Sequence, residues 1–596
     1  MNVFGLLAVV VVSLNGLWDF RLEPDKTLEE VLAPGFVPDA KMTVPGAWDA
    51  TSRYYNQSGT GCYRTRFDLK DAVTNAFLVI DGCCLRSRYW LDGREIGFSK
   101  LPWSRIEFAT GPLAAGAHEL VAAVDNVVDN SKVKLFWDFY DFYPSGGFQH
   151  GVSLELQEKE VEIRKVIVRT RDFRTGLVDL EAVYAQKGPS DFTANVTFNG
   201  GTAQAVAFKE RHAQLCVPAF RLWTPETPNL HVVSVNGVCA RFGIRQVGVA
   251  DGRITLNGRP VYLKGINRHE AHYEFGGTTP VQVMYEDLCN LKDLGGNFIR
   301  GAHYAQCEHF LDLCDEMGVL VWEESLGWGN VARQILDPEF RSLQEDETRL
   351  MVRNSINHPS VVISAFLNEP DSFMPECKSL VERLIDVVKA EDSGHLVTFA
   401  CHRTRNDISH EKTDIIAVNV YPGWYSHIPV AGTHDEMRRN LAACYDETIA
   451  YFRKKYGDDR PIVISESGVK SDYGARDPRA AVCAPGQAAS PCGRQAVIPA
   501  QRPDRGRHDV GADDQLDRQL DHRRIGTASG KHNGSQCRFA SQGLHTGFRG
   551  EIARSRNGRA VSQREDVSRS NAGRRIFCPP CGWSEARKRP SAARRR

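Results

Sequence analysis

The sequence predicts a multidomain β plus α/β protein: a jelly-roll β-sandwich, an immunoglobulin-like β-sandwich, a (β/α)8 barrel lacking its last strand, and a disordered basic tail. Three observations carry this reading. Short alternating runs between Gly, Pro and Asp turns fill about the first 250 residues, strands alternating with amphipathic helices follow, and the composition turns abruptly near residue 480. With 596 residues and 42 % apolar side chains, the chain has room for several domains with real cores.

Residues 14–156 hold runs such as Phe77-Leu78-Val79-Ile80 and Tyr89-Trp90-Leu91, followed by Asp81-Gly82 and Asp92-Gly93. Asp-Gly hairpin signals without a helical period predict the jelly roll. Residues 157–247 repeat the style at a smaller scale, a length that suits one immunoglobulin-like sandwich. After Leu256-Asn257-Gly258-Arg259-Pro260 the rhythm changes. Strand candidates at 261–267, 297–303, 319–325, 361–369, 396–402, 415–421 and 461–466 alternate with helical candidates at 281–294, 308–317, 379–390 and 435–456. That alternation is the signature of a parallel sheet wrapped by helices. A closed barrel needs eight strands, so residues 248–480 read as an incomplete TIM-type barrel.

The formal charge of zero hides two opposite pieces. Residues 481–596 carry 23 Lys and Arg against 10 Asp and Glu, with only Lys531 and Lys588 as lysines, 15 Leu, Ile, Val or Phe, and no tyrosine. Such a chain cannot bury a core, so disorder is expected there. A basic tail for nucleic acid and a reading-frame slip both explain the composition. The stretch lacks interleaved aromatics and a helical basic stripe, and it begins abruptly after Asp477-Pro478, which favours the slip and removes nucleic acid as an expected partner. The 16 cysteines lie scattered through apolar runs and read as buried thiols, while Cys578-Pro579-Pro580-Cys581 has no second pair at ligand spacing. The apolar opening, residues 1–12, has neither a basic flank nor a small-residue cleavage site. The expectation is a cytoplasmic protein without a membrane partner, with homo-oligomerisation left open.

Two segments, Ser364-Ala365-Phe366-Leu367-Asn368-Glu369-Pro370 and Pro461-Ile462-Val463-Ile464-Ser465-Glu466-Ser467, each drive an apolar run into a glutamate. Core strands that deliver two carboxylates to one barrel rim supply the equipment for glycosidic bond cleavage. The other strand candidates end in polar groups as well: Asn267, Arg268 and His269; Arg300 and His303; Glu323 and Glu324; His402; Asn419 and Tyr421. One such residue is explained by a structural hydrogen bond, but packing does not explain a polar end on every strand.

Together these motifs resemble family 2 glycoside hydrolases, the group of β-galactosidases, β-glucuronidases and β-mannosidases. The resemblance covers residues 14 to about 478 through Leu14-Asn15-Gly16-Leu17-Trp18-Asp19-Phe20, Asp141-Phe142-Tyr143-Pro144-Ser145-Gly146-Gly147-Phe148, Leu222-Trp223-Thr224-Pro225, Gly265-Ile266-Asn267-Arg268-His269, Arg300-Gly301-Ala302-His303-Tyr304 and Asn368-Glu369-Pro370. It implies a retaining exo-β-glycosidase, with Glu369 as acid/base and Glu466 as nucleophile, carboxyl groups about 5 to 5.5 Å apart, and Asn368 on the sugar 2-hydroxyl. Arg300 and Tyr421 would hold Glu466, while His303, Asn419, Trp424, Asp141 and His269 would contact the carbohydrate. No cofactor is implied. A metal is not expected either, because no histidine stands two residues after Glu324. β-Galactoside and β-glucuronide both remain open as substrates. The alternative is a catalytically inactive truncated homologue that acts at most as a carbohydrate-binding protein.

Overall fold

A computed structural model describes residues 10–468 apart from 32, 136–141, 158–161, 185–187, 393, 423–433 and 458, together with residues 496–497. Asp141, Trp424 and nearly all of the predicted tail lie outside the described residues. The first sandwich pairs a six-stranded sheet, which includes Gly16–Pro24, Gly59–Leu69 and Gly116–Asp125, with a four-stranded sheet built on Val73–Ile80 and Val152–Gln157. Period-two alternation does the work: Trp18, Phe20 and Leu22 face inward, while Asp19 and Arg21 between them are only partly buried. The inward rings meet edge to face, Tyr63 lying 4.8 Å from Phe20 and 5.1 Å from Phe148. A second, smaller pair of sheets includes Ile163–Asp172 and Leu177–Tyr184 on one side and Phe192–Phe198 and His231–Val235 on the other, around its own core.

The third part is a nearly closed barrel. Its strands are β1 (Gly265–Arg268), β2 (Phe298–Gly301), β3 (Leu320–Trp328), β4 (Val361–Asn368), β5 (Leu396–Cys401), β6 (Ile416–Asn419) and β7 (Ile462–Glu466). Each runs parallel to the next in chain order. β4, β5 and β7 are buried along their whole length, as strands covered on both faces must be. All seven overlap the expected strands, although β1 starts at Gly265 rather than at 261. No eighth parallel strand appears among the described residues; instead Ala496–Val497 pairs antiparallel with β1 at Gly265 and Ile266. Ala496–Val497 also lies near β7, but the outer edge of β7 has no hydrogen-bonded strand partner among the described residues.

Helices α1 (Val281–Asp293), α2 (Glu308–Met317), α3 (Pro338–Ser355), α4 (Pro375–Glu391) and α5 (His434–Tyr456) follow β1, β2, β3, β4 and β6. α3 went unread in the sequence because its buried face carries Gln344, Glu347 and Thr348 among Phe340, Met351 and Val352, which blurs the apolar period. Its start signal was nevertheless present. The Asp337 carboxylate caps the helix by accepting from the backbone N–H groups of Glu339 and Phe340, with Pro338 in the first turn. At the far end of α2, Gly318 adopts φ +67°, and a Cβ there would sit 2.2 Å from the Pro225 carbonyl oxygen. Only glycine permits both the left-handed cap and that approach.

Trp223, in the connection between the second-sandwich strands His212–Cys216 and His231–Val235, joins the barrel core of Leu320, Trp322 and Ile363 and donates its indole N–H to the Asp315 carbonyl at 2.9 Å. Trp223→Ala removes a fully buried ring at this seam and should cost about 3–5 kcal/mol in urea denaturation. A loss below about 1 kcal/mol would show that the seam contributes little to stability.

Candidate active site

At the C-terminal end of β2 the Arg300 guanidinium is completely buried. Its Nη1 donates to Glu466 Oε1 at 2.6 Å, its Nε to Glu324 Oε2 at 3.1 Å, and its Nη2 to Glu324 Oε2 at 2.8 Å and to Asn368 Oδ1 at 2.9 Å. One rigid cationic fork thus ties the ends of β2, β3, β4 and β7 together. The Trp322 indole N–H, at 3.0 Å, adds a further donor to Glu324 Oε2. Burial raises the Glu324 carboxyl, and Arg300 opposes that shift. Period two separates the adjacent glutamates of β3. Glu324 joins Arg300, whereas Glu323 accepts the backbone N–H of Gln306 at 3.1 Å and is pushed by burial up to about 7.

The end of β4 is bulged. Against β5 the register passes from Ala365 opposite Thr398 to Asn368 opposite Ala400, so one strand advances three residues while its partner advances two. Leu367 and Glu369 adopt φ +58° and +55°, a left-handed conformation that costs non-glycine residues on the order of 1 kcal/mol or more each. That backbone turns neighbouring side chains to one partner: Asn419 Nδ2 donates to Asn368 Oδ1 at 3.1 Å and to Glu369 Oε1 at 2.8 Å. Asn419 is itself oriented by the Ser465 hydroxyl, which donates to its Oδ1 at 2.7 Å. Tyr421 completes the rim by donating to Glu466 Oε2 at 2.5 Å, and burial together with the Glu466 charge raises its phenol.

The structure therefore brings Glu369, Glu466, Asn368, Arg300, His303, Asn419 and Tyr421 into one connected network. His303 Nδ1 lies 3.1 Å from both Glu324 Oε1 and Arg300 Nη2, and its Nε2 lies 3.7 Å from Glu466 Oε1. His269 is exposed at the same mouth, its ring 5.1 Å from that of His303. His402 Nδ1 lies 3.9 Å from Glu369 Oε2, and burial pushes its pKa down to about 4. Residues that sequence reasoning left out of the site are Glu324 as the partner of Arg300, Ser465 as the orienter of Asn419, and Phe142. Phe142 comes from the first sandwich, and its ring lies 5.9 Å from His303 and 5.6 Å from His269. The Asp141 to Phe148 motif pointed to that loop without naming the ring.

Residues 247–476 match the family described as "Glycosyl hydrolases family 2, TIM barrel domain". The barrel therefore matches the TIM barrel domain of family 2 glycoside hydrolases. A β-galactosidase of Vibrio vulnificus is 28 % identical over 421 residues, which are 60 % of this chain and 40 % of that protein. The β-glucuronidase of Sus scrofa is 28 % identical over 522 residues, 78 % of each chain. The chain thus spans about two fifths of the length of the bacterial β-galactosidases it matches. A family 2 β-galacturonidase from Eisenbergiella tayi, solved with bound galacturonate, superposes with a TM-score of 0.68 at 26 % identity, covering 79 % of this chain and 83 % of the other.

Burial and the Arg300 charge push the pKa of His303 down to about 3, whereas an unfolded histidine titrates near 6.5. Between those values the unfolded chain binds a proton that the folded chain refuses, so stability present above pH about 6.5 is lost as pH falls towards 3. Urea denaturation from pH 7 to 4 should show a shallower loss for His303→Gln than for the wild type. Equal slopes would mean that His303 is not held neutral.

Proposed function

We propose that this chain is a retaining exo-β-glycosidase acting on terminal β-galactosides or β-glucuronides, organised as a jelly-roll domain (14–156), an immunoglobulin-like domain (157–247) and a catalytic barrel (248–480). The observation that carries the reading is the joining of Glu369 and Glu466, from different strands, through Asn419, Asn368 and Arg300. Glu466, charge-paired with Arg300 and hydrogen-bonded by Tyr421, is the nucleophile. It attacks the anomeric carbon while Glu369 gives its proton to the departing glycosidic oxygen, and a glycosyl ester forms on Glu466. Glu369, now ionised, takes a proton from water, which cleaves the ester and returns the sugar with its original configuration.

Asn368 faces the 2-hydroxyl in this scheme, and His303, Asn419 and His269 line the sugar subsite. No step calls on a metal at Glu324, whose oxygens accept from Arg300 and Trp322. The named relatives divide between β-galactosidases, β-glucuronidases and a β-galacturonidase, so the sugar is proposed only as a β-linked hexose or hexuronic acid. A cytoplasmic setting belongs to the same proposal, supported by the free thiol state of every described cysteine. No helix of the described residues is long and apolar enough to cross a membrane.

The second reading, an inactive carbohydrate-binding homologue, is favoured by one observation: β7, the strand that carries Glu466, has no hydrogen-bonded strand on its outer edge among the described residues. Aryl β-galactoside and β-glucuronide assays separate the two. Turnover of either should fall to background in Glu466→Gln and by about 10²- to 10⁴-fold in Glu369→Gln, with the fold unchanged by circular dichroism. Full activity in Glu466→Gln would refute the nucleophile assignment, and no turnover by the wild type would leave the inactive reading.

A further inference from the structure

Three clusters of potential metal ligands lie among the described residues, all outside the catalytic network. Two are satisfied by internal bonds. Asp407 accepts from Tyr456 and His410 at 2.6 and 3.0 Å, and His410 Nε2 accepts the Ala417 N–H at 3.3 Å, which leaves no ligand atom on that histidine. Asp315 is held by His358 at 2.7 Å and by the Ser360 N–H at 3.0 Å, while Asp312 pairs with Arg241.

The third cluster, His150, Glu270 and Cys307, is 7 %, 2 % and 8 % exposed. It mixes nitrogen, oxygen and sulfur donors from three places: the end of the first sandwich, the segment after β1, and the residue before α2. His150 Nε2 lies 3.2 Å from Glu270 Oε2, Cys307 Sγ lies 3.8 Å from Glu270 Oε1, and the Met284 sulfur lies 3.9 Å from Cys307 Sγ. Ligand bonds of about 2.0 to 2.1 Å to nitrogen or oxygen and about 2.3 Å to sulfur place the corners of a tetrahedron about 3.3 to 3.8 Å apart. The measured separations fall in or next to that range, and the sulfur contacts are long for hydrogen bonds because thiols and thioethers are weak partners.

We propose that His150, Glu270 and Cys307 form a structural zinc site, with the Met284 thioether or a water completing the tetrahedron. The borderline donor set suits zinc, and the thiolate and carboxylate together neutralise the dication. Binding displaces to solvent both the thiol proton of Cys307 and the imidazolium proton that His150 holds against Glu270. The ion would tie the first sandwich to the first two strand-to-helix connections of the barrel, one residue from His269 and four from His303. It is a stabilising site and takes no part in bond cleavage, so it stands or falls independently of the glycosidase reading. Sequence spacing could not announce it, because 119 residues separate His150 from Glu270.

The test is metal analysis of the full chain and cobalt(II) loading after chelator dialysis. The wild type should retain zinc in stoichiometric amount, melt at a higher temperature with zinc than with chelator, and with cobalt show a thiolate-to-cobalt charge-transfer band with tetrahedral ligand-field absorption. Cys307→Ser should lose the charge-transfer band. A wild type that keeps no zinc and shows no such band overturns the site without any variant, as does a band that persists in Cys307→Ser through another of the thiols.

Discussion

Burying a guanidinium with no solvent contact is costly unless its donors are met, and the site is organised around that requirement at Arg300. The bonds it makes dictate where four strands must end. Glu324 takes one side of the fork, Glu466 takes Nη1, and Asn368 accepts from Nη2, so β2, β3, β4 and β7 cannot slide without orphaning a buried charge. Lysine would not replace it, since a single ammonium cannot reach three partners in a plane. The same bonds keep Glu466 aimed and charge-balanced in the network that also holds Glu369, as a double displacement would ask of the proposed nucleophile.

A second constraint lies in the backbone of β4. An ideal strand points Asn368 and Glu369 to opposite faces, and Asn419 could then hold only one of them. The bulge after Ala365 and the left-handed Leu367 and Glu369 defeat that alternation. The strain persists because hydrogen bonds determine the conformation from both sides: Asn419 holds the side chains, and the Ala400 carbonyl accepts the Glu369 N–H at 2.8 Å. Local strain is thereby converted into a fixed geometry for the candidate proton donor.

Much of this was legible from residues alone, for identifiable reasons. The barrel strands announce themselves as short β-branched runs that end in polar groups, so the expected strands and the observed ones coincide closely. Glu369 and Glu466 stood out because each closes such a run. What stayed hidden depends on contacts distant in sequence or on departures from ideal geometry. Glu324 was visible as a polar strand end, but not as the partner of Arg300, 24 residues away. The bulge has no glycine to mark it, α3 buries polar side chains, and the reach of Phe142 from the sandwich to His303 is decided by how the sandwich loop meets the barrel. That contact makes the first sandwich part of the construction of the site.

The central claim is that Glu466 is the atom-bonding partner of the sugar within the Arg300 network. Incubation of the full chain with 2-deoxy-2-fluoro-β-galactosyl and β-glucuronyl fluorides, followed by peptide mass spectrometry, tests it most directly. A trapped fluorosugar ester on Glu466 is the predicted result. An ester on any other residue, or active enzyme whose released sugar has inverted configuration, would contradict it.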